Sequence, residues 1–237
     1  MPNPYFKFKQ FTVFHDRCAM KTGTDGVLIG AWTNLNDNEN VLDVGAGSGL
    51  ISLMLAQRNV NIAVHSIEID DVATSQANEN IFRSPFKSVQ PCLNISFQSF
   101  INQCSCKYDL IVSNPPFFCD SLKSPDVQRS MARHTGSLSI DEFIRLSTNV
   151  LSDKGRVSFI FPYQEKDRLI SLAVENKLHV SRITKVFPTT GSLPKRVLME
   201  LSVVKCETVS DELTIETGRH AYSQEFIDLV KDFYLKY

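Results

Sequence analysis

Asn114, Pro115, Pro116 and Phe117 form the stretch of this chain whose residue types best suit chemistry. They follow the apolar, β-branched run 108–113, which predicts a buried strand that ends at the tetrad. The two prolines fix φ and remove two backbone donors, so the loop is stiff and its carbonyls remain as acceptors. An amide oxygen, a backbone carbonyl and an aromatic face together suit a planar amino group whose ring stacks on Phe117. The tetrad alone fits an ordinary strand-to-loop turn equally well.

A second motif, from Asp43 to Gly49, places glycines at alternate positions between a predicted strand and a predicted helix. Glycine allows positive φ and lets a ligand approach the backbone closely. Gly45 and Gly47 fit the dinucleotide fingerprint G-x-G-x-x-G, but its third glycine is replaced by Leu50. An acid at Asp43 would repel phosphate and could hold a cationic amine. A cofactor with an amino-acid end therefore fits this loop better than one with a pyrophosphate.

Glu68 ends the next predicted strand, 62–67, and its carboxylate could accept hydrogen bonds from both hydroxyls of a ribose. A glycine loop followed by a distal acid also occurs in NAD enzymes. Asp43 and the proline tetrad are the features that separate this chain from them.

Strands and helices alternate from residue 40 onward, which predicts a Rossmann-like, doubly wound, mainly parallel α/β sheet. The last two strands have no helix between them, so we expect an antiparallel last strand. We expect one domain over 1–237, with 1–35 as a strand and helix extension packed on it. The seven predicted strands are 41–44, 62–67, 93–97, 108–113, 156–161, 178–187 and 196–204, and a further short extended stretch is expected at 213–216.

Composition is that of an ordinary globular protein, with 43% hydrophobic and 22% charged residues in 237. No apolar run approaches the ~20 residues that span a bilayer, and the start of the chain lacks an apolar signal core, so we expect a cytoplasmic protein without membrane contact. A formal net charge of -1 argues against indiscriminate nucleic-acid binding but permits a local basic patch. The six cysteines include no Cys-x-x-Cys pair, so we expect reduced thiols and no metal.

The glycine loop, Glu68 and the tetrad together resemble class I S-adenosylmethionine-dependent methyltransferases of the amino-group type over about residues 20–205. The resemblance extends over nearly the whole chain to the bacterial tRNA1(Val) adenine-N6-methyltransferases. It is carried there by the stretches 6–11, 15–21, 23–28, 132–134 and 193–200.

This resemblance implies a role for each matching residue. The catalytic positions would be Asn114, Pro115 and Phe117, and tRNA would be held by Phe117, Arg129, Arg133, Lys195 and Arg196. S-adenosyl-L-methionine would be held by Lys21, Thr24, Asp43, Gly45, Ala46, Gly47, Ser48, Gly49, Glu68, Ile69, Gln98 and Asn114. Many such enzymes carry an acid at the end of the third strand that reads the adenine of the cofactor. Here the candidates for that position are Gln98 and Ser99, which is a departure from the family pattern.

The implied function is N6-methylation of the anticodon-loop adenine at position 37 of tRNA1(Val), with a monomer favoured. The tetrad is shared with enzymes that methylate N2 of guanine in rRNA, N5 of glutamine in release factors and N6 of adenine in DNA. A non-catalytic RNA-binding protein of this fold is a further alternative. Release-factor enzymes usually carry Tyr at the place of Phe117 and an N-terminal helical domain, for which the ~40 residues before the first core strand leave too little room. The order of the loop 118–136 without RNA stays open.

Overall fold

The computed structural model of the chain describes residues 3–116 and 138–236. The strands are β1 Tyr5–Lys7, β2 Thr12–Phe14, β3 Asn40–Val44, β4 Ala63–Glu68, β5 Leu93–Asn94, β6 Tyr108–Ser113, β7 Leu151–Pro162, β8 His179–Thr189, β9 Arg196–Ser202, β10 Val209–Gly218 and β11 Ala221–Tyr222. The helices are α1 Thr24–Trp32, α2 Leu50–Arg58, α3 Asp71–Arg83, α4 Phe97–Gln103, α5 Ile140–Ser147, α6 Lys166–Glu175 and α7 Gln224–Val230, and a 3-10 turn at Tyr163–Glu165 precedes α6.

Nine of these strands form one sheet, in the order β11-β10-β8-β9-β7-β6-β3-β4-β5. The pairs β4–β5, β3–β4, β3–β6 and β6–β7 are parallel. β9 runs antiparallel to both of its neighbours, β7 and β8. The mainly parallel, doubly wound α/β sheet with a reversed strand is therefore confirmed. The expected count of seven strands is wrong for the described residues, because β10 and β11 extend the sheet beyond β8.

β10 is longer than the expected stretch at 213–216 because it pairs in parallel with β8 over most of its length. Its residues are mostly polar and only Leu213 is buried, so its own sequence carries little strand signal. Backbone pairing with β8, rather than an apolar face, defines this strand.

The third core strand is shorter than expected, because β5 ends at Asn94 and the chain turns into α4 at Phe97. The Oγ of Ser96 accepts a hydrogen bond from the backbone N–H of Ser99 at 3.2 Å and so caps α4. Gln98 consequently lies inside a helix and does not end a strand.

Side-chain caps mark the starts of α3 and α5. The Oδ1 of Asp70 accepts from the N–H of Ala73 at 2.8 Å at the start of α3, and Ser139 accepts from the N–H of Glu142 at the start of α5. The Glu142 carboxylate accepts a hydrogen bond from the side-chain amide of Gln98 at 2.9 Å, which ties α5 to α4. The cap residue of α1 is Gly23, and Thr24 is the first residue of the helix.

Two apolar cores cover the two faces of the sheet. One unites the N-terminal residues, α1, α2 and α7, and the other lies under α4, α5 and α6. Glycines bring α1 close to α2, since a Cβ at Gly30 would lie 2.8 Å from the Sδ of Met54. The N-terminal strands add Phe8, Phe11 and Val13 to the first core. Among the described residues, no helix is long and apolar enough to cross a membrane.

Candidate active site

The candidate site lies at the carboxyl edge of the three adjacent parallel strands β4, β3 and β6. Parallel pairing brings the ends of these strands to one edge, where α/β sheets bind ligands. The glycine loop follows β3, Glu68 ends β4 and Asn114 follows β6. The Oγ of Ser113 donates to the carbonyl of Val44 at 2.7 Å and fixes the end of β6 beside the start of the loop.

The glycine loop turns with left-handed backbone at each of its glycines, where φ is 73° at Gly45, 55° at Gly47 and 79° at Gly49. A side chain at Gly45 or Gly47 would meet no other atom within 4 Å, so the loop presents bare backbone to open space. The N–H groups of Gly45 and Ala46 donate to the carbonyl of Ile67, which fastens the loop to β4. The loop is therefore a fixed surface that a ligand can approach closely.

Glu68 supports this loop from the end of β4. Its Oε2 accepts from the N–H of Gly47 at 2.9 Å and its Oε1 accepts from the N–H of Asp70 at 3.0 Å. A carboxylate has about four acceptor positions, so both oxygens retain capacity for hydroxyl donors such as those of a ribose.

Asp43 lies beneath the loop and its side chain is fully buried. Its Oδ2 accepts from the N–H and the Oγ of Ser52 at 3.1 and 2.7 Å, which holds the first turn of α2 against β3. Burial raises the pKa of Asp43 to about 7, although the two hydrogen bonds from Ser52 oppose that rise. Asp43 is thus an anchor of the loop and α2 in this structure, and its contact with a cofactor amine stays a prediction.

A cavity of about 340 Å³ opens above the loop. Seven of the residues that the sequence assigns to the cofactor line it, namely Lys21, Thr24, Gly45, Ala46, Gly47, Ser48 and Asn114. Met20, Thr22 and Ile51 line it as well and were missed, although Met20 and Thr22 flank a matching residue. Gly49 is the N-cap residue of α2 and does not line the cavity, and Ala77 lies close to the place of its missing Cβ.

The N-terminal segment forms one wall of this cavity and is held there by buried amides of α3. Asn80 accepts from the N–H of Phe14 at 3.0 Å and donates to the carbonyls of Phe14 and Ser48 at 2.8 and 2.9 Å. Gln76 accepts from the N–H of Arg17 at 2.9 Å. Asn80 therefore joins the N-terminal segment to the glycine loop, a role that no pattern in the sequence indicated.

His15 shapes the same segment from within. Its Nδ1 lies 2.9 Å from the Oγ1 of Thr22 and its Nε2 lies 3.0 Å from the carbonyl oxygen of Asn3. Thr22 lines the cavity, so this buried imidazole sets the position of part of the cavity wall.

Asn114 lines the cavity, and its Oδ1 is buried without a hydrogen-bond partner in the described part of the chain. Pro115 is buried and Pro116 is exposed. An unpaired buried acceptor is unfavourable by about 1–3 kcal/mol and is a feature that a bound donor would remove. Phe117, Arg129 and Arg133 lie outside the described residues, so their assigned roles stay predictions.

The amide side chain at the end of the third core strand, β5, belongs to Asn94 and not to Gln98. Gln98 points its amide nitrogen to Glu142 at 2.9 Å, and it does not line the cavity. Asn94 ends β5 and donates to the carbonyls of Glu68 and Ile69 at 3.1 and 3.0 Å. Ile69 is 48% exposed beside it and presents an apolar surface. The assignment of Gln98 as the residue after the third strand is therefore wrong.

Lys195 and Arg196 lie apart from the glycine loop, in the wall of a second cavity of about 880 Å³. The Nε of Arg196 donates to the Oδ2 of Asp25 at 2.8 Å. Thr24 and Asp25 line both cavities, so the second cavity adjoins the first.

The described ranges 3–116 and 138–236 contain no group of three or more His, Cys, Asp or Glu side chains that could hold a metal ion.

Comparison with known proteins extends this geometry to a family. The family model described as "Methyltransferase small domain" matches residues 21–166. The chain is 48% identical to the tRNA1(Val) (adenine(37)-N6)-methyltransferase of Parabacteroides distasonis, with 100% of both chains covered. It is also 48% identical to the protein of that name from Phocaeicola vulgatus, with 99% of both chains covered.

A solved structure shows the same fold at much lower identity. The chain is similar to a predicted O-methyltransferase from Agrobacterium tumefaciens, with 17% identity, a TM-score of 0.68 and 88% and 96% of the two chains covered. The full-length relatives and the matching domain model confirm the resemblance drawn from the sequence. This chain belongs to the family of bacterial tRNA1(Val) (adenine(37)-N6)-methyltransferases.

Proposed function

We propose that this chain transfers the methyl group of S-adenosyl-L-methionine to N6 of adenine 37 in the anticodon loop of tRNA1(Val). The observation that carries the proposal is the buried Oδ1 of Asn114, which has no hydrogen-bond partner within the described ranges of the chain. Asn114 lines the same cavity as the open glycine loop. Membership of the family, established by full-length similarity at 48% identity, supports the substrate. Because the substrate is tRNA, the protein acts in the cytoplasm.

The residues present fit the cofactor. The bare backbone at Gly45 and Gly47 faces open space that a ligand can occupy, and Glu68 offers acceptors to ribose hydroxyls. Exposed Ile69 would contact the adenine ring, and Lys21 and Thr24 line the cavity. When bound, S-adenosylmethionine supplies an electrophilic methyl group on a sulfonium.

The chain supplies acceptors and orientation. The N6 amine of adenine is a poor nucleophile because its lone pair is delocalised into the ring. Hydrogen bonds from that amine to the Asn114 Oδ1 and the Pro115 carbonyl favour a tetrahedral nitrogen and aim its lone pair at the methyl group. The nitrogen sheds a proton only after the new bond has formed, so no base has to act first. Orientation and prearranged dipoles therefore carry the rate enhancement.

The target adenine has to leave its stack to reach such a cavity, and loop adenines are the ones most easily unstacked. Phe117 would then stack on the base, and Arg129, Arg133, Lys195 and Arg196 would hold the phosphates. Acceptors suited to a planar amine would also serve guanine, glutamine or DNA adenine, so the site alone does not fix the substrate.

The experiment offers labelled S-adenosylmethionine with unmodified tRNA, adenine-containing DNA, rRNA and a release-factor peptide, and identifies the labelled product by nucleoside and amino-acid analysis. We expect label in N6-methyladenosine of tRNA. Label confined to guanine, glutamine or DNA would retain the chemistry and overturn the substrate. Cofactor binding with no transfer to any of them would favour the non-catalytic RNA-binding alternative.

A further inference from the structure

The second cavity is a groove that reaches the same edge of the sheet as the cofactor cavity. β8 ends at Thr189 and β10 ends at Gly218, and both run parallel to β7 and β6. The groove lies between these strand ends, β1, α1 and the C-terminal residues. Thr24 and Asp25 form the wall that it shares with the cofactor cavity. A polymer strand bound in the groove would therefore pass beside the cofactor cavity.

The floor of the groove is apolar and its sides are aromatic. Leu28, Val186 and Phe226 are almost fully buried at its base. Tyr5 and Tyr222 line it with 41% and 38% of their surface exposed. The ring of Tyr222 lies against that of Phe226, with centroids 5.2 Å apart and planes 22° apart, so Phe226 supports one face of it. Such rings are platforms on which unstacked bases stack.

The charged residues of the groove are mainly cationic, although the whole chain has a net charge of -1. Lys7, Lys195, Arg196 and Lys236 line it, against two carboxylates, Asp25 and Glu216. Asp25 already pairs with Arg196, so the surplus of positive charge falls on the exposed lysines. This local basic surface is complementary to phosphates.

We infer that this groove binds the single-stranded RNA next to the target adenine, with a flanking base on Tyr222 and its phosphates on Lys7 and Lys195. The inference rests on the proposed function, since it takes RNA as the occupant, and it adds the place where the RNA backbone enters the site. Stacking accepts any base, so the groove contributes affinity and alignment rather than recognition of one sequence.

The test measures binding of a fluorescent RNA hairpin with the unmodified anticodon loop, by anisotropy at several salt concentrations. The test variant is K7E/K195E, and the matched control is K154E/K205E. Lys154 and Lys205 are also exposed but lie at the amino edge of the sheet, near the start of β7 and after the end of β9. The two double variants make the same change in net charge, so they differ in the place of the charge and not in its amount.

We expect K7E/K195E to weaken RNA binding about tenfold or more, and to lower the slope of log affinity against log salt by about 1.4, as for two phosphate contacts to a single strand. Cofactor affinity should not change, because neither lysine lines the cofactor cavity. The control should bind RNA within about twofold of the unaltered protein. Equal losses in the two double variants would overturn the inference.

Substitutions of Tyr222 test the stacked base. Y222F retains the ring and should bind the hairpin normally, whereas Y222A should lose about fivefold or more. A Y222A protein that melts normally and binds RNA normally would refute the stacking. Anisotropy requires no turnover, so the groove and the proposed function fail separately. If the groove variants bound the hairpin as tightly as the unaltered protein and still methylated it, the groove would have no role in RNA binding. If RNA binding depended on the groove but no N6-methyladenosine formed, the proposed function would be wrong.

Discussion

Two buried side-chain oxygens near the loop, Oδ1 of Asn114 and Oδ1 of Asp43, lack a hydrogen-bond partner in the described residues. They differ in their surroundings. Asn114 lines a cavity, where a ligand can supply a donor, whereas Asp43 lies beneath the loop with its other oxygen bound to Ser52. We therefore expect Asn114 to bind the substrate, and Asp43 to stabilise the fold and hold the glycine loop in place.

Replacement of Asn114 by Ala should separate activity from stability. Loss of the acceptor should lower kcat by about 10²- to 10³-fold, the range found when one prearranged polar group is removed from a transition-state site. The melting temperature should not fall, because the lost amide oxygen has no hydrogen-bond partner among residues 3–116 and 138–236. Steady-state kinetics and calorimetry of cofactor binding provide the measurement. A variant with normal kcat would exclude the role of Asn114.

The buried carboxyl of Asp43 predicts a pH-dependent stability. Burial raises its pKa to about 7, whereas an unfolded Asp titrates near 3.9. The folded state therefore retains the proton that the unfolded state loses, and the free energy of unfolding falls as pH rises from about 4 to about 7. D43N has no such titration. The free energy of unfolding of D43N, relative to that of the unaltered protein, should therefore rise from about pH 4 to about pH 7. Urea unfolding at several pH values would measure it.

The control for D43N is D71N, which alters an exposed acid in the first turn of α3. A difference between D43N and the unaltered protein that stayed constant over the pH window would show that Asp43 does not titrate as we infer.

At the level of elements, the fit between the N-terminal segment and α3 determines the shape of the cofactor cavity. Asn80 bonds three backbone groups, two of Phe14 and one of Ser48 in the glycine loop. N80A should lower the free energy of unfolding by about 1–3 kcal/mol, because it leaves these groups unpaired. It should also weaken cofactor binding, because Ser48 loses its support.

Asn78 on the same helix provides the matched control for N80A. It bonds the N–H and the carbonyl of Cys92, on the side of α3 that faces β5. N78A should destabilise the protein to a similar degree without altering cofactor affinity. If both variants bound the cofactor equally well after correction for unfolded protein, Asn80 would have no specific role at the site.

The elements also show where inference from sequence succeeded and failed. Alternating apolar residues predicted a strand over 93–97, but Leu93 is half-exposed and the hydroxyl of Ser96 starts a helix at Phe97. Local capping prevailed over a short apolar alternation, which is a weak signal at this length. β10 was underestimated for the opposite reason, since its strand character comes from its neighbour β8.

Predictions for the site were most accurate where a motif fixed the backbone. The glycine loop, Glu68 and Asn114 meet at one edge because each follows a strand of the same parallel set. Lys21 and Thr24 line the cavity, but only the family resemblance indicated them, since their approach depends on folding of the N-terminal segment against α3. The contacts of Asn80 and His15 depend wholly on tertiary structure and had no local signal.

In the molecule as a whole, the two edges of the sheet differ in role, since one carries the cavities and the other a stabilising ion cluster. The carboxyl edge carries both cavities, whereas the amino edge carries a buried ion cluster. There Arg156 of β7 pairs with Glu39 at 2.6 Å and with Glu200 of β9 at 2.9 Å, and all three side chains are largely buried. This cluster ties the connection before β3 to the middle of the sheet and lies far from the glycine loop along the strands.

R156A should therefore affect stability alone. It leaves two carboxylates buried without their cation, a change expected to lower the free energy of unfolding by about 3–5 kcal/mol. At a temperature where the variant is still folded, its kcat/KM should stay within about twofold of normal. K154A, an exposed change in the same strand, is the control. A large loss of kcat in fully folded R156A would show that the two edges are coupled.

We expect this chain to methylate N6 of one adenine in one tRNA. The most direct test incubates the protein and S-adenosylmethionine with two transcripts of tRNA1(Val), one with adenine and one with guanine at position 37, and locates the methyl group by mass spectrometry of nuclease fragments. We predict one methyl group on the anticodon-loop fragment of the first transcript, recovered as N6-methyladenosine, and none on the second. Equal methylation of both transcripts, or a methyl group elsewhere in the tRNA, would contradict the account.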